Sequence, residues 1–311
     1  MRDWFIIGGA GFVGRAIGSA LLARGDARVT IGSRSAPADR AKGNLRFVLY
    51  DDLSDLDLDD AARADVIVDL ASPGRGRFAT RHDLGSRVAG HIRLVDGLAN
   101  RGWGGHLLFA SSGGTIYGSG FACPMYEDWP RQPMGEYALE KAVVEMHLQT
   151  LAYHGALAST TLRVSNVYGP LQPIRPGFGV VPAIAQALRD GTPFRRFGHG
   201  RSVRDYVHID DVVDAMIRAG DRQVGGVLNI GSGFGTSLDR LIVLSEELSG
   251  RSLSVQNVHV PPGEPDAIVL DCTRAAERLD WRAEVTIEDG LRHTFDHHGL
   301  GPQTVPLARA S

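Results

Sequence analysis

The chain has 311 residues, is 43% hydrophobic and 22% charged, and carries a formal net charge of -3. That length can bury a substantial core and divide into a nucleotide-sized domain with a smaller second lobe. The slight acidity and the scattered arginines exclude a broad electrostatic footprint for nucleic acid, no apolar run reaches membrane-spanning length, and Cys123 and Cys272 lack metal-ligand spacing, as expected of reduced packing residues in a cytoplasmic protein.

Met1-Arg2-Asp3 runs straight into a strand at Trp4 to Ile7, with no room for a leader. Further strands are expected at Arg28 to Ile31, Leu45 to Tyr50, Val66 to Asp69, His106 to Ala110 and Thr161 to Val164. Helix-length amphipathic stretches lie between them at Phe12 to Arg24, His82 to Arg101 and Tyr137 to His154, the last stopping near Gly155. Short apolar runs alternating with such helices predict an α/β fold built on a doubly wound parallel sheet. Proline and glycine crowd the segment from Tyr168 to Gly177, so the domain change is expected there: 1–167 as a dinucleotide-binding domain and 168–311 as mainly a substrate lobe. A helix at Asp210 to Ala219 and a strand at Val227 to Ile230 suggest that residues near 210–235 return to the first domain, and a loose tail follows Leu300.

Gly8-Gly9-Ala10-Gly11-Phe12-Val13-Gly14 follows the first strand and opens the first helix. Gly8, Gly11 and Gly14 allow a tight turn, close approach of a pyrophosphate to backbone amides, and close packing of helix on strand, with Phe12 and Val13 in the same turn. At the end of the second strand a carboxylate would bind ribose hydroxyls, whereas arginine accommodates a 2'-phosphate. Gly32-Ser33-Arg34-Ser35 carries no carboxylate, so Ser33 and Arg34 leave both NAD and NADP open as cofactor. Asp52 and Leu53 are placed at the adenine, while the aspartate-rich run from Asp51 to Asp60 reads as a solvated, helix-starting surface and not a metal site.

Tyr137-Ala138-Leu139-Glu140-Lys141 puts a phenol and an ammonium on one helix face. An ammonium there favours the phenolate, as does a bound nicotinamide cation, and a phenol so tuned exchanges a proton with a hydroxyl while hydride leaves the adjoining carbon. From spacing alone such a pair is usually a half-buried aromatic beside a solvated cation, and it is the surrounding order of motifs that gives it chemistry. His199 and His208 read as hydrogen-bonding structural residues, and Arg75 and Arg77 as a solvated loop or as cofactor-phosphate ligands.

Together with the glycine loop, Ser111-Ser112-Gly113-Gly114-Thr115-Ile116-Tyr117-Gly118 and the Tyr137, Lys141 pair make the chain resemble the extended short-chain dehydrogenase/reductase family, in its NAD-dependent epimerase/dehydratase branch. Pro124 to Pro130, Arg163 to Pro170 and Ser202 to Asp211 carry the likeness through nearly the whole chain. The resemblance implies a Rossmann-like sheet with a smaller C-terminal lobe, and a homodimer through the helices at His82 to Arg101 and Tyr137 to His154. It also implies Lys141 on the nicotinamide ribose, and substrate contacts from Asn166 and Arg204; Tyr117, beside the proposed centre, is taken as a substrate contact with packing on protein as the alternative. Three departures qualify it. The usual Ser or Thr four residues before Tyr117 is Gly113, leaving Ser112, Thr115 or water to supply the hydroxyl. Pro261 stands where an arginine opens a late motif. Gly114 and Thr115 replace the Asp and Glu of dehydratases, so dehydration is not expected.

The expected activity is therefore a nucleotide-sugar 4-epimerase working through a transient keto intermediate. An NADPH-dependent ketoreductase of a keto sugar or other small ketone is the alternative, and a nucleotide-binding scaffold that has lost the chemistry is the third reading.

Overall fold

The computed structural model describes residues 1–36, 41–72, 84–174, 178–259 and 265–301. Among these, eight strands form one sheet: β1 (Arg2–Ile7), β2 (Ala27–Ser33), β3 (Ala41–Lys42), β4 (Leu45–Leu49), β5 (Val66–Asp69), β6 (His106–Ser112), β7 (Ser159–Val164) and, far along the chain, β11 (Gly226–Ile230). Their order is β11-β7-β6-β5-β1-β2-β4-β3, parallel throughout except for the short edge strand β3. Helices α1 (Phe12–Arg24), the short α2 (Leu58–Ala61), α3 (Leu84–Asn100) and α4 (Glu136–Tyr153) make the crossovers. The doubly wound Rossmann-like sheet expected from the alternation is present.

Side chains along β1 alternate between two cores because successive Cβ atoms leave opposite faces of a strand. Trp4 and Ile6 pack with Ile17 and Leu21 of α1 and with Val212 and Met216 of α6 (Ile209–Arg222). Phe5 and Ile7 face Leu94 and Leu98 of α3 and Val144 and Leu148 of α4. Each such buried aliphatic contributes about 1.5–3 kcal/mol relative to exposure.

After β7 the chain leaves the sheet. β8 (Asn166–Tyr168), one residue past it, pairs instead with β10 (Val203–His208). A second lobe gathers α5 (Val180–Asp190), β9 (Phe194–Phe197), β12 (Gly235–Ser237), α7 (Leu238–Ser249), β13 (Val255–Val258), β14 (Ala267–Ile268) and α9 (Ile287–His297), while α8 (Thr273–Leu279) packs back on the first core. Its own core includes Ile184, Leu188, Leu241, Leu291 and Phe295. Element bounds differ from the sequence expectations by at most three residues, with α1 and β5 matching at both ends: α6 extends past Ala219 to Arg222, and β6 runs past Ala110 to Ser112. The first residues of the expected helix from His82 lie outside the described residues, as do Arg75, Arg77 and Pro261.

β1 and β5 are neighbours whose onward connections run to opposite sides of the sheet. The carboxyl ends of such a pair are where open α/β sheets bind ligands.

Candidate active site

At the end of β1 the chain turns on Gly8, at φ +73°, and the Gly11 amide closes the turn on the Gly8 carbonyl at 3.0 Å. A Cβ on Gly14 would stand 2.5 Å from Gly9 Cα, and one on Gly9 would stand 2.8 Å from the Ile6 carbonyl oxygen. Backbone therefore passes backbone at a distance only glycine permits. No side chain caps α1 at Gly11, so the positive end of the helix dipole is left uncapped, and Val13 of that first turn lines the cleft. This bare cradle fits a dinucleotide pyrophosphate. The Gly8 amide itself donates to the Tyr50 hydroxyl at 3.1 Å. Burial pushes the Tyr50 phenol up to about 12, so it stays protonated at neutral pH. Sequence reasoning passed over Tyr50, whose signal was only an aromatic at a strand end.

The expected adenosine contacts fare differently. Ser33 is buried and its hydroxyl donates to the Ser35 carbonyl, while Arg34 is exposed. Gly32 is fixed by packing, since a Cβ there would meet the Phe5 ring at 2.8 Å. Asp52 caps the 3-10 turn Leu53–Asp55, accepting from the Ser54 amide at 3.0 Å, and Leu53 is buried in the core shared with α3. A capping carboxylate and a core leucine account for both positions without a ligand.

Gly135, at φ +94°, starts α4, which places Tyr137 in the first turn and Lys141 one turn on. Lys141 is 1% exposed. Its Nζ donates to the Ala71 carbonyl at 3.1 Å and lies 4.7 Å from the Phe109 ring centre and 5.9 Å from that of Tyr137. Tyr137 lines a cleft of about 950 Å³. Val13 and Ser72 line it from the nucleotide side, Asn166 and Arg204 from the second lobe. Asn166 Nδ2 donates to the Asp205 carbonyl at 2.9 Å. The Asp205 carboxylate is wholly buried and accepts from the Ser232 amide and hydroxyl, both at 2.8 Å, and from the Gly233 amide at 3.1 Å. Burial raises its pKa even so. This hub pins β10, and with it Arg204, to the loop after β11. Arg201, His199 and Tyr206 also line the cleft. Of these, His199 lies beside a segment that the sequence points to as substrate-facing though its type reads as structural, Tyr206 falls within the Ser202 to Asp211 segment without being singled out, and Arg201 carries no signal in sequence.

The serine-bearing strand end departs most from expectation. Ser112 is fully buried, and the Thr115 Oγ1 is enclosed without a hydrogen-bond partner; neither is among the residues lining the cleft. Gly113 turns its α-carbon toward Leu270, and a Cβ there would sit 2.5 Å from Leu270 Cδ1. Tyr117 is corrected outright. It is 0% exposed, its hydroxyl donates to Asn229 Oδ1 at 2.6 Å, and that hydroxyl accepts from Arg163 Nη1 at 2.9 Å. Burial, against the pull of Arg163, pushes its phenol up to about 12. Arg163 in turn pairs with buried Glu145 at 2.8 Å. Tyr117 thus completes a buried polar network and does not touch the cleft. Among the described residues no group of three or more His, Cys, Asp or Glu is placed to hold a metal ion.

The chain is 32% identical to a UDP-glucose 4-epimerase of Mycolicibacterium smegmatis over 94% of this chain and 96% of that protein. It is 30% identical to a dTDP-6-deoxy-L-talose 4-dehydrogenase (NAD(P)(+)) of Kitasatospora kifunensis over 96% of each. The fold superimposes with a TM-score of 0.84 on a UDP-glucose 4-epimerase of Thermus thermophilus solved in complex with NAD, at 28% identity, covering 95% of this chain and 98% of that one. The NAD dependent epimerase/dehydratase family profile matches residues 4–231, and with Val13 of the glycine turn and Tyr137 lining one cleft and Lys141 buried one turn behind Tyr137, the chain belongs to that family.

Proposed function

We propose that this protein is a nucleotide-sugar 4-epimerase, and that Tyr137 is its acid-base group. The observation that carries the reading is the common cleft: Tyr137 and Asn166 line the same 950 Å³ space as Arg204, with the Gly8 to Gly14 cradle at its nucleotide end. Tyr137 takes the proton of the sugar 4-hydroxyl and later returns one to the carbonyl oxygen. NAD held at the Gly8 to Gly14 cradle would supply the reversible hydride chemistry that the side chains lack. Lys141, held on the Ala71 carbonyl, favours the ionised phenol. Arg204, Arg201 and His199 offer cationic and donor groups to a diphosphate, and the roomy cleft supports a keto sugar turning over between the two hydride steps.

A ketoreductase reading is favoured by one observation, the exposed Arg34 at a β2 end without a carboxylate. One experiment separates the two. The purified protein is assayed with UDP-glucose without added nicotinamide, and released cofactor is identified by mass spectrometry. Epimerisation predicts turnover on retained NAD and loss of roughly 10²–10⁴-fold in kcat for Tyr137→Phe with the cofactor still bound. Stoichiometric consumption of NADPH would sink the epimerase reading.

We also propose a two-lobed working unit, 1–167 with 210–235 and the remainder of 168–311, and a homodimer formed through α3 and α4. Support for the dimer is an apolar stripe on α4, where Leu139, Val143, Met146 and Tyr153 are exposed at helical spacing. The proposed compartment is the cytoplasm, where free Cys123 and Cys272 remain thiols, a placement that cell fractionation tests directly.

A further inference from the structure

Behind the cleft, α3 and α4 enclose a cluster of charged groups that the proton relay does not use directly. His91 Nδ1 lies 2.6 Å from Asp69 Oδ2, and both side chains are almost wholly buried. The other oxygen of Asp69 accepts the Ala71 amide at 2.9 Å. The Ala71 carbonyl is the group that receives Lys141 Nζ at 3.1 Å. On its far side His91 Nε2 stands 3.8 Å from Glu140 Oε1, which is 3.9 Å from Lys141 Nζ. The second oxygen of Glu140 is 3.1 Å from Arg87 Nε, and Arg87 also reaches Glu136. The 3.8 Å contact is an ion pair without hydrogen-bond geometry, so the short bond to Asp69 is the one that orients the ring. Phe109 closes the remaining side of the imidazole, edge to face at 5.6 Å.

We propose that His91 is a positioning residue for the relay: by holding Asp69 it fixes the Ala71 peptide that receives the Lys141 ammonium, and so sets how strongly that ammonium favours ionised Tyr137. Three linked contacts carry the effect. Without His91, one Asp69 oxygen loses its donor inside the protein, and the Lys141 ammonium, whose charge already acts on Asp69, is drawn toward it. Movement of Lys141 toward Asp69 takes it away from Tyr137. The groups facing His91 are Asp69 from β5, Glu140 and Lys141 from α4, and Arg87 from its own helix. Burial alone would lower the imidazole pKa, but the charge and hydrogen bond of Asp69, with Glu140 beyond them, outweigh it and raise it.

The inference rests on Tyr137 being the acid-base group, and its test separates the two. Tyr137 ionisation is read in the NAD-loaded protein as tyrosinate absorbance against pH, each His91 variant being compared with the same variant carrying Tyr137→Phe. His91→Leu raises the midpoint by about one unit, roughly a tenfold loss of phenolate at any pH below it, and lowers kcat about tenfold near neutrality with KM little changed. His91→Asn, whose amide nitrogen takes the place of Nδ1, restores the midpoint. If the leucine variant does not fold, His91→Ala gives the same reading. A midpoint unmoved in His91→Leu or His91→Ala overturns the proposal, and so does an asparagine variant shifted as far as either. Full turnover by Tyr137→Phe alone would instead remove the functional reading beneath it, whatever His91 does.

Discussion

Gly113→Ser restores by sequence the hydroxyl that the family resemblance asks for, yet the structure predicts loss and no gain. A Cβ at this position would lie 2.5 and 3.1 Å from the two methyls of Leu270 and 3.0 Å from the Arg163 carbonyl oxygen. Leu270 is packed with Ile116, Met125 and Ile268, and Arg163 belongs to a strand hydrogen-bonded on both sides. The Gly113 amide is itself tied to the Val164 carbonyl at 2.8 Å, so the loop cannot turn the new side chain toward the cleft. Overpacking of this kind costs about 1–3 kcal/mol. For a chain of this length about 2 kcal/mol corresponds to a fall of roughly 3 °C in the denaturation midpoint. Thermal and urea melts of the cofactor-loaded protein measure the loss, and initial rates at saturating substrate measure kcat per folded enzyme, which should not rise. Adding Leu270→Ala makes room, so the double variant should be less destabilised than the two single losses combined, by about 1 kcal/mol or more. A serine variant that turns over tenfold faster with an unchanged midpoint would refute the orientation of Gly113, and additive losses would refute the contact with Leu270.

Two further outcomes follow from buried and exposed groups elsewhere. Burial lowers the His106 pKa to about 4, so the folded protein excludes a proton that the unfolded chain takes up near its ordinary 6.5. Stability is full above that value and falls as pH drops from 6.5 toward 4, by up to about 3 kcal/mol, with the ring bonded to Thr160 Oγ1 at 2.7 Å. Urea midpoints across this window should slope less for His106→Asn; equal slopes would mean that the folded protein protonates His106 freely. Met146, 56% exposed on the α4 stripe, should be central to the proposed dimer. Met146→Asp is expected to weaken self-association at least tenfold in sedimentation equilibrium while the monomer stays folded, and a wild-type protein that sediments as a monomer would dispose of the interface.

Much of the frame was legible early because its causes are local. β5 at Val66–Asp69 and α1 at Phe12–Arg24 fall where apolar periodicity places them, and Gly14 is required by a backbone approach that the spacing of the glycines already encoded. The small elements of the second lobe, such as β9 and β13, were not legible, since Phe194 to Phe197 and Val255 to Val258 carry polar residues between their ends in place of the continuous apolar run that marks β5, and they pair with each other across a long stretch of chain.

The site divided in the same way. Sequence by itself determined that a phenol and an ammonium one helical turn apart would follow a nucleotide loop, because helix pitch and glycine sterics act within a few residues. Only the tertiary structure decided that Tyr117 belongs to the interior, through a bond to Asn229 spanning 112 positions, and that His91 meets Asp69 across 22. Those assignments rest on which buried polar groups find partners once the sheet and helices have packed. Local pattern holds no record of that, because the partners arrive from different strands and helices and the cost of leaving any one of them unpaired is felt only when water is gone.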